Sequence, residues 1–162
     1  MVIVNNQLQV AKIKMAYILS LLVGIGMIAP LFIVDRLTIE HKIMAVLGVV
    51  LLIYFIYLII SKPEYIYMAE QKGKLQIKNY PARPILRQYK AFEINLNTFS
   101  HFEIRKSFFG QKVELIFWIK TKKGSGSYPP LSLSALSKSE MQKISKYLSS
   151  KSLNREKNII QL

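Results

Sequence analysis

The chain contains no cysteine and only two histidines, His41 and His101, which lie far apart in sequence. The first absence excludes a disulfide scaffold, a thiol nucleophile and a thiolate metal site. The second leaves little for a zinc site or a histidine-based triad. Acids are scarce as well: 9 Asp+Glu stand against 23 Lys+Arg among 162 residues, a formal net charge of +14. They are scattered, with no paired-carboxylate constellation. There is no Gly-rich phosphate loop, no Gly-x-Ser-x-Gly and no Asp-rich cation loop. The expectation is a non-enzymatic protein with no catalytic set, no cofactor and no metal.

Charge is missing altogether from two stretches, Met15 to Val34 and Ile43 to Ile60. A bilayer core of roughly 30 Å takes about 20 apolar helical residues, with a range near 17–25. Both stretches qualify, so residues 15–61 are expected to form a transmembrane helical hairpin, with the polar connector Asp35 to Lys42 between its arms. The first run is longer than a signal-peptide core and lacks a clean small-x-small cleavage site. It is therefore taken as a retained helix, kinked near its end by Pro30. Intramembrane ionisable residues mark proton and ion paths, and these runs have none, which argues against a transporter or pump working alone.

Ala16, Ser20 and Gly24 recur every fourth residue in the first run, and Ala45 and Gly48 lie in the second. Small residues at such spacing let helices approach closely in lipid, either within the hairpin or against another subunit. Lys12 and Lys14 precede the first helix and Lys62 follows the second. By the positive-inside rule, both termini are expected on the cytoplasmic side of a bacterial inner membrane.

Charge returns after Ser61. Residues 1–61 carry a net +2, and residues 62–162 carry +12. The pattern there changes to short alternating runs. Glu64–Glu70 and Leu75–Tyr80 read as a β-hairpin. Ala91–Leu96, Phe102–Lys106, Lys112–Lys120 and part of Tyr128–Leu136 read as further strands. Val113, Leu115, Phe117 and Ile119 mark the inner face of the strongest one. Residues 122–127 read as a flexible basic loop. Ser137 and Glu140 have capping-box spacing ahead of a helix with a Met141, Ile144, Leu148 stripe. The domain is thus expected over residues 62–151, between a cytoplasmic segment 1–14 with the hairpin and a polar tail 152–162.

Short antiparallel strands closed by one C-terminal helix resemble the pleckstrin-homology (PH)-like barrel. With the hairpin, the chain resembles small bacterial membrane proteins that carry a PH-like domain. The resemblance implies binding of lipid head groups, peptides or partner subunits. Lys72, Lys74 and Lys78 stand near the first strand pair, but Asn79-Tyr80 follow where phosphoinositide-binding members carry a further Arg.

The basic residues Lys72, Lys74, Lys78, Arg83, Arg87, Arg105, Lys106, Lys120, Lys122 and Lys123 are read as an anionic-surface set. They would serve an anionic leaflet or an acidic partner, or simply solubility; nucleic acid is the weaker alternative. Phe108 and Phe109, flanked by cations, are read as membrane-dipping residues. His101, in a Phe-rich strand region with no second histidine near it in sequence, reads as structural. The expected function is an accessory or scaffold subunit of a membrane complex, docking on anionic lipid, on other membrane subunits or on copies of itself. The alternative is an oligomeric pore or immunity-type membrane protein.

Overall fold

A computed structural model of the chain describes residues 1–33, 39–83, 88–121, 124–152 and 159–160. Strand β1 (Val2–Asn5) leads into helix α1 (Gln7–Ile28), the short helix α2 (Pro30–Ile33) and helix α3 (Ile39–Ser61). Both long helices are apolar and long enough to cross a membrane, and only 17% of each spanning window is covered by the rest of the chain. A core helix of a water-soluble domain would be mostly covered. These helices instead present Leu22, Val46 and Ile53 outward, each 60% exposed or more.

The arms meet where side chains are smallest. A Cβ on Gly48 would lie 3.0 Å from the Gly24 carbonyl oxygen and 3.1 Å from Met27 Cβ. Gly24 and Ser20 are buried, while Ala16 and Ala45 are half-buried. Close packing within the hairpin therefore accounts for the central pair of small residues. Pro30 differs from expectation. It does not kink α1 but separates it from α2, because proline lacks the N–H to continue one helix yet suits the first position of the next.

Strands β2 (Glu64–Gln71), β3 (Lys74–Pro81) and β4 (Lys90–Asn95) form an antiparallel sheet in the order β1-β2-β3-β4. Strand β1 was not anticipated. The β-branched run Val2-Ile3-Val4 pairs with β2 through a bulge, so the N-terminal segment belongs to the domain. The second sheet holds β5 (Phe99–Ser107), β6 (Lys112–Thr121), β7 (Gly124–Ser127), β8 (Leu131–Ser132) and β9 (Ile159–Ile160). Its order is β7-β6-β5-β9, with β8 also on β6. The Gly-Ser part of the stretch read as a flexible basic loop is strand β7, because backbone pairing from Trp118–Ser127 to Thr121–Gly124 outweighs its poor side-chain propensity.

The core lies between the sheets: Ile66, Met68, Leu75, Ile77 and Ile94 face Phe99, Phe102, Leu115 and Phe117. The sheets do not close into a barrel, which corrects the expected PH-like closure. Strand β1 occupies the edge of the first sheet, and helix α4 (Lys138–Lys151) spans the opening by touching β1 and β5. The capping box of Ser137 and Glu140 forms as expected, and Ile144 and Leu148 are fully buried. At its last turn α4 is pinned to β2, where Tyr147 Oη and Lys151 Nζ donate to the Glu70 carboxylate at 2.8 and 2.9 Å.

The helix seam has a direct test. Gly48→Ala is expected to destabilise the folded chain in detergent by about 1–3 kcal/mol, through overpacking. Gly26→Ala, with no atom within 4 Å of the new Cβ, is expected to be neutral or stabilising by up to about 1 kcal/mol. Thermal unfolding in detergent measures both. An equal response at the two positions would contradict the Gly24–Gly48 contact.

Candidate functional site

The domain has two ends, set by its strand directions. Residue Ser61 ends α3 and Glu64 starts β2, so the Glu64–Pro81 end of the first strand pair lies at the hairpin. The Gln71–Lys74 turn lies at the far end. The Lys112–Leu115 portion of β6 also belongs to the hairpin end. There β8 pairs with Glu114 and Leu115, and Ser132 N donates to Glu64 Oε2 at 3.4 Å. Helix α3 touches β6. The Lys120 end of β6 meets Thr98 beside the far turn, through a 2.8 Å bond from Lys120 N to Thr98 O.

Helix α1 joins the hairpin to the domain. Val10 is buried with Ala82 and Ala135, while Ile13, Tyr65 and Tyr80 pack around them. Residue Asn6, fully buried, precedes the helix without capping it by its side chain. Its Nδ2 instead donates to the Glu64 carbonyl at 3.0 Å, and its Oδ1 accepts from Ile66 N at 2.8 Å. One helical turn beyond Lys14, the buried Tyr17 donates to the Leu58 carbonyl at 2.6 Å and meets the Phe55 ring edge-on. Asn6, Val10 and Tyr17 were not singled out from sequence. Asn5-Asn6 before an apolar run is a helix-start signal that would have placed the start of α1 at Gln7.

Around this junction lies an aromatic cluster. The rings of Tyr65 and Tyr80 stack at 4.6 Å, and Tyr89 meets Tyr80 at 4.9 Å. Lys14 Nζ sits 4.8 Å from the Tyr80 centroid, a cation–π contact between α1 and the domain. Phe108 and Phe109 form the β5–β6 turn at the same end, 60% and 106% exposed. Both have left-handed backbone, with φ of 52° and 55°, ahead of Gly110 at 81°. A side chain pays about 1–2 kcal/mol for that region, so an exposed aromatic pair there is held against a backbone cost.

The basic set read from sequence is not one surface. Lys72 and Lys74 lie at the far turn and Lys120 near it, separated from the hairpin by the length of β2, about 25 Å at 3.3 Å per residue. Lys74 is also ion-paired with Glu93 at 3.3 Å. Lys78 lies along β3 over the Tyr67 ring. Arg83 stands at the hairpin end, two residues after β3, and Arg105 and Lys106 lie toward that end of β5. Arg105 donates to both carboxylate oxygens of Glu103, at 2.8 and 3.0 Å. That contact holds Glu103 below its usual carboxylate range. Arg87, Lys122 and Lys123 fall outside the described residues. His101 stacks flat on Trp118 at 5.5 Å. Among the described residues, no group of three or more His, Cys, Asp or Glu side chains is placed to hold a metal ion.

A pocket of about 240 Å³ opens at the junction, lined by Tyr17, Ile59, Lys62, Pro63, Glu64, Pro81 and Arg83. Glu64 is half-buried in it, and its Oε2 accepts from Asn79 Nδ2 at 2.9 Å. Burial raises its pKa above the ordinary value, against the hydrogen bonds from Asn79 and Ser132, which pull it down. Compared with family models, with curated proteins and with solved structures, the chain matches none.

Asn6→Ala strands the buried Ile66 N–H, at about 1–3 kcal/mol. Amide exchange should accelerate in β1 and at Ile66 while β5 and β6 stay protected, as hydrogen-exchange mass spectrometry would show. For Glu64, a raised folded pKa means that ionisation disfavours the folded state. Its stabilising contribution is full below the ordinary value of 4.5 and is lost as pH rises through the folded value. Glu64→Gln keeps an acceptor for Asn79, so it should be more stable than the parent at pH 7 and level with it at pH 4. Melting temperatures across that range check the sign.

Proposed function

We propose that the protein is a non-enzymatic, two-pass accessory or scaffold subunit of a bacterial inner membrane, with both termini cytoplasmic. Its basic domain rests on the anionic leaflet by its hairpin end and offers its far end to a partner protein. The observation that carries this reading is the gathering of unlike features at one end. The apolar helices emerge there, a tyrosine cluster surrounds their base, lysines flank them and an exposed Phe-Phe turn points from the same end. Tyrosines, lysines and arginines are the residues that favour the boundary between hydrocarbon and water.

Magnitudes divide the charges between the two ends. A basic residue near an anionic leaflet is worth about 1 kcal/mol, but only within a Debye length of about 8 Å at physiological salt. Lys62, Arg83 and Lys106 are placed for that role. Lys72 and Lys120, about 25 Å away along the strands, are too far to feel the leaflet and are left for an acidic partner. The covering of Val10 inside the domain and the Gly24–Gly48 contact support the retention of α1 as a membrane helix rather than its loss as a signal sequence.

The test uses the whole chain in nanodiscs. Phe109→Trp should give blue-shifted emission that brominated lipids quench in anionic bilayers, above the constant background of Trp118. Loss of quenching in neutral bilayers is expected, and quenching in neither would exclude docking by this turn. Purification in mild detergent should yield one or two copies with a stoichiometric foreign partner. A ring of six or more copies without one would favour the pore reading instead.

A further inference from the structure

We infer that the junction pocket is a binding site for one phospholipid with an anionic, hydroxyl-bearing head group, its phosphate held between Lys62 and Arg83. The inference rests on the membrane reading above and adds to it a defined lipid site.

The pocket lies at the level of the head groups. Lys62 immediately follows the last residue of α3 and Arg83 follows the end of β3, while Tyr17 and Ile59 lie just inside the two spans. The pocket's volume of about 240 Å³ is below the roughly 300–1,000 Å³ of ordinary small-molecule sites. There is room for a head group and not for acyl chains. Those find apolar surface directly beneath, on the outward side chains of α3 such as Ile56 and Ile59, 53% and 51% exposed.

The lining is amphipathic in a way that matches a phospholipid. Lys62 and Arg83 both bring positive charge to the lining beside Glu64, where a phosphate diester would sit. The guanidinium of Arg83 provides planar donors suited to phosphate oxygens. Glu64 Oε2 is engaged by Asn79 and by Ser132 N on its domain side. The carboxyl group is then an acceptor for a head-group hydroxyl, which an anionic glycerol head group supplies and a choline head group does not.

Lys62 gives a second, independent indication. Its φ of 45° is left-handed, the position after a helix where glycine or asparagine is usual. A lysine there carries backbone strain that glycine would not. Among the described residues it forms no ion pair. The side chain is exposed at the mouth of the pocket. A charge thus stands at a place where the backbone alone would favour a different residue.

The test is native mass spectrometry of the full chain in detergent, with phosphatidylglycerol, phosphatidylethanolamine or phosphatidylcholine added. The parent should retain one phosphatidylglycerol under activation that strips the other two. Lys62→Gly, which relieves the left-handed backbone and so does not threaten folding, should lower that retention about tenfold, as for loss of one charge-assisted hydrogen bond. Arg83→Gln should do the same and Arg83→Lys should restore part of it. Equal retention of the three lipids, or retention unchanged in Lys62→Gly, overturns the site. Carbonate extraction of native membranes separates the two levels of inference. A chain that is released refutes the membrane reading itself, whereas one that stays but shows no lipid preference refutes the pocket alone.

Discussion

The side chain of Asn6 holds the two halves of the molecule in one frame. It is fully buried, donates to the Glu64 carbonyl and accepts from the Ile66 amide, which places both its polar atoms on β2. A buried amide is costly unless its hydrogen bonds are made, so a single arrangement of β1, α1 and β2 satisfies it. Helix α1 then starts from a fixed point in the sheet. Val10 buries itself against Ala82 and Ala135, and Tyr17 reaches Leu58 on the opposite arm.

The consequence for charge is a domain with two unlike ends. Because α3 runs into β2 with only Lys62 and Pro63 between, strand direction becomes distance from the hairpin. Residues at the Glu64–Pro81 end stand beside the helices, with tyrosines stacked between them and Lys14 against Tyr80. Residues at the Gln71–Lys74 turn stand a strand length away, where charge acts only on what approaches from solution. A net excess in the sequence thus divides into two local fields with different reach.

Much of this was legible in the sequence, and the physical reasons for the rest are specific. The hairpin arms show as charge-free runs, the β2–β3 pair as alternation around Lys72-Gly73, and the start of α4 as Ser137 and Glu140 in capping-box spacing. Those signals are local, and local chemistry decides them. Strand β1 was hidden because four residues carry too little pattern, and its partner lies more than fifty positions onward. Strand β7 was hidden because Gly and Ser favour no strand until β6 supplies hydrogen bonds. Barrel closure was expected from element order, but order does not reveal that β1 fills one edge and α4 bridges the opening. The grouping of lysines failed for a related reason: neighbours in sequence on a strand turn are remote from the hairpin, while Lys62 and Arg83 come together only through the pairing of Glu64 with Pro81. Glu64 itself, one acid among scattered ones, becomes distinctive only once Asn79 and Ser132 are seen around it.

The uninterrupted passage from β1 into α1 also has a mechanical meaning. No flexible joint separates the sheet from the first helix, because Asn6 is locked at the corner and Val10 is embedded one turn later. The helix therefore acts as a tiller for the sheet. In the proposed two-pass arrangement, tilting the hairpin to suit a thinner or thicker bilayer would swing the Lys72 turn sideways through several ångströms, with the strand length as lever arm. The far end would then be a pointer whose position reports the angle of the helices beneath it.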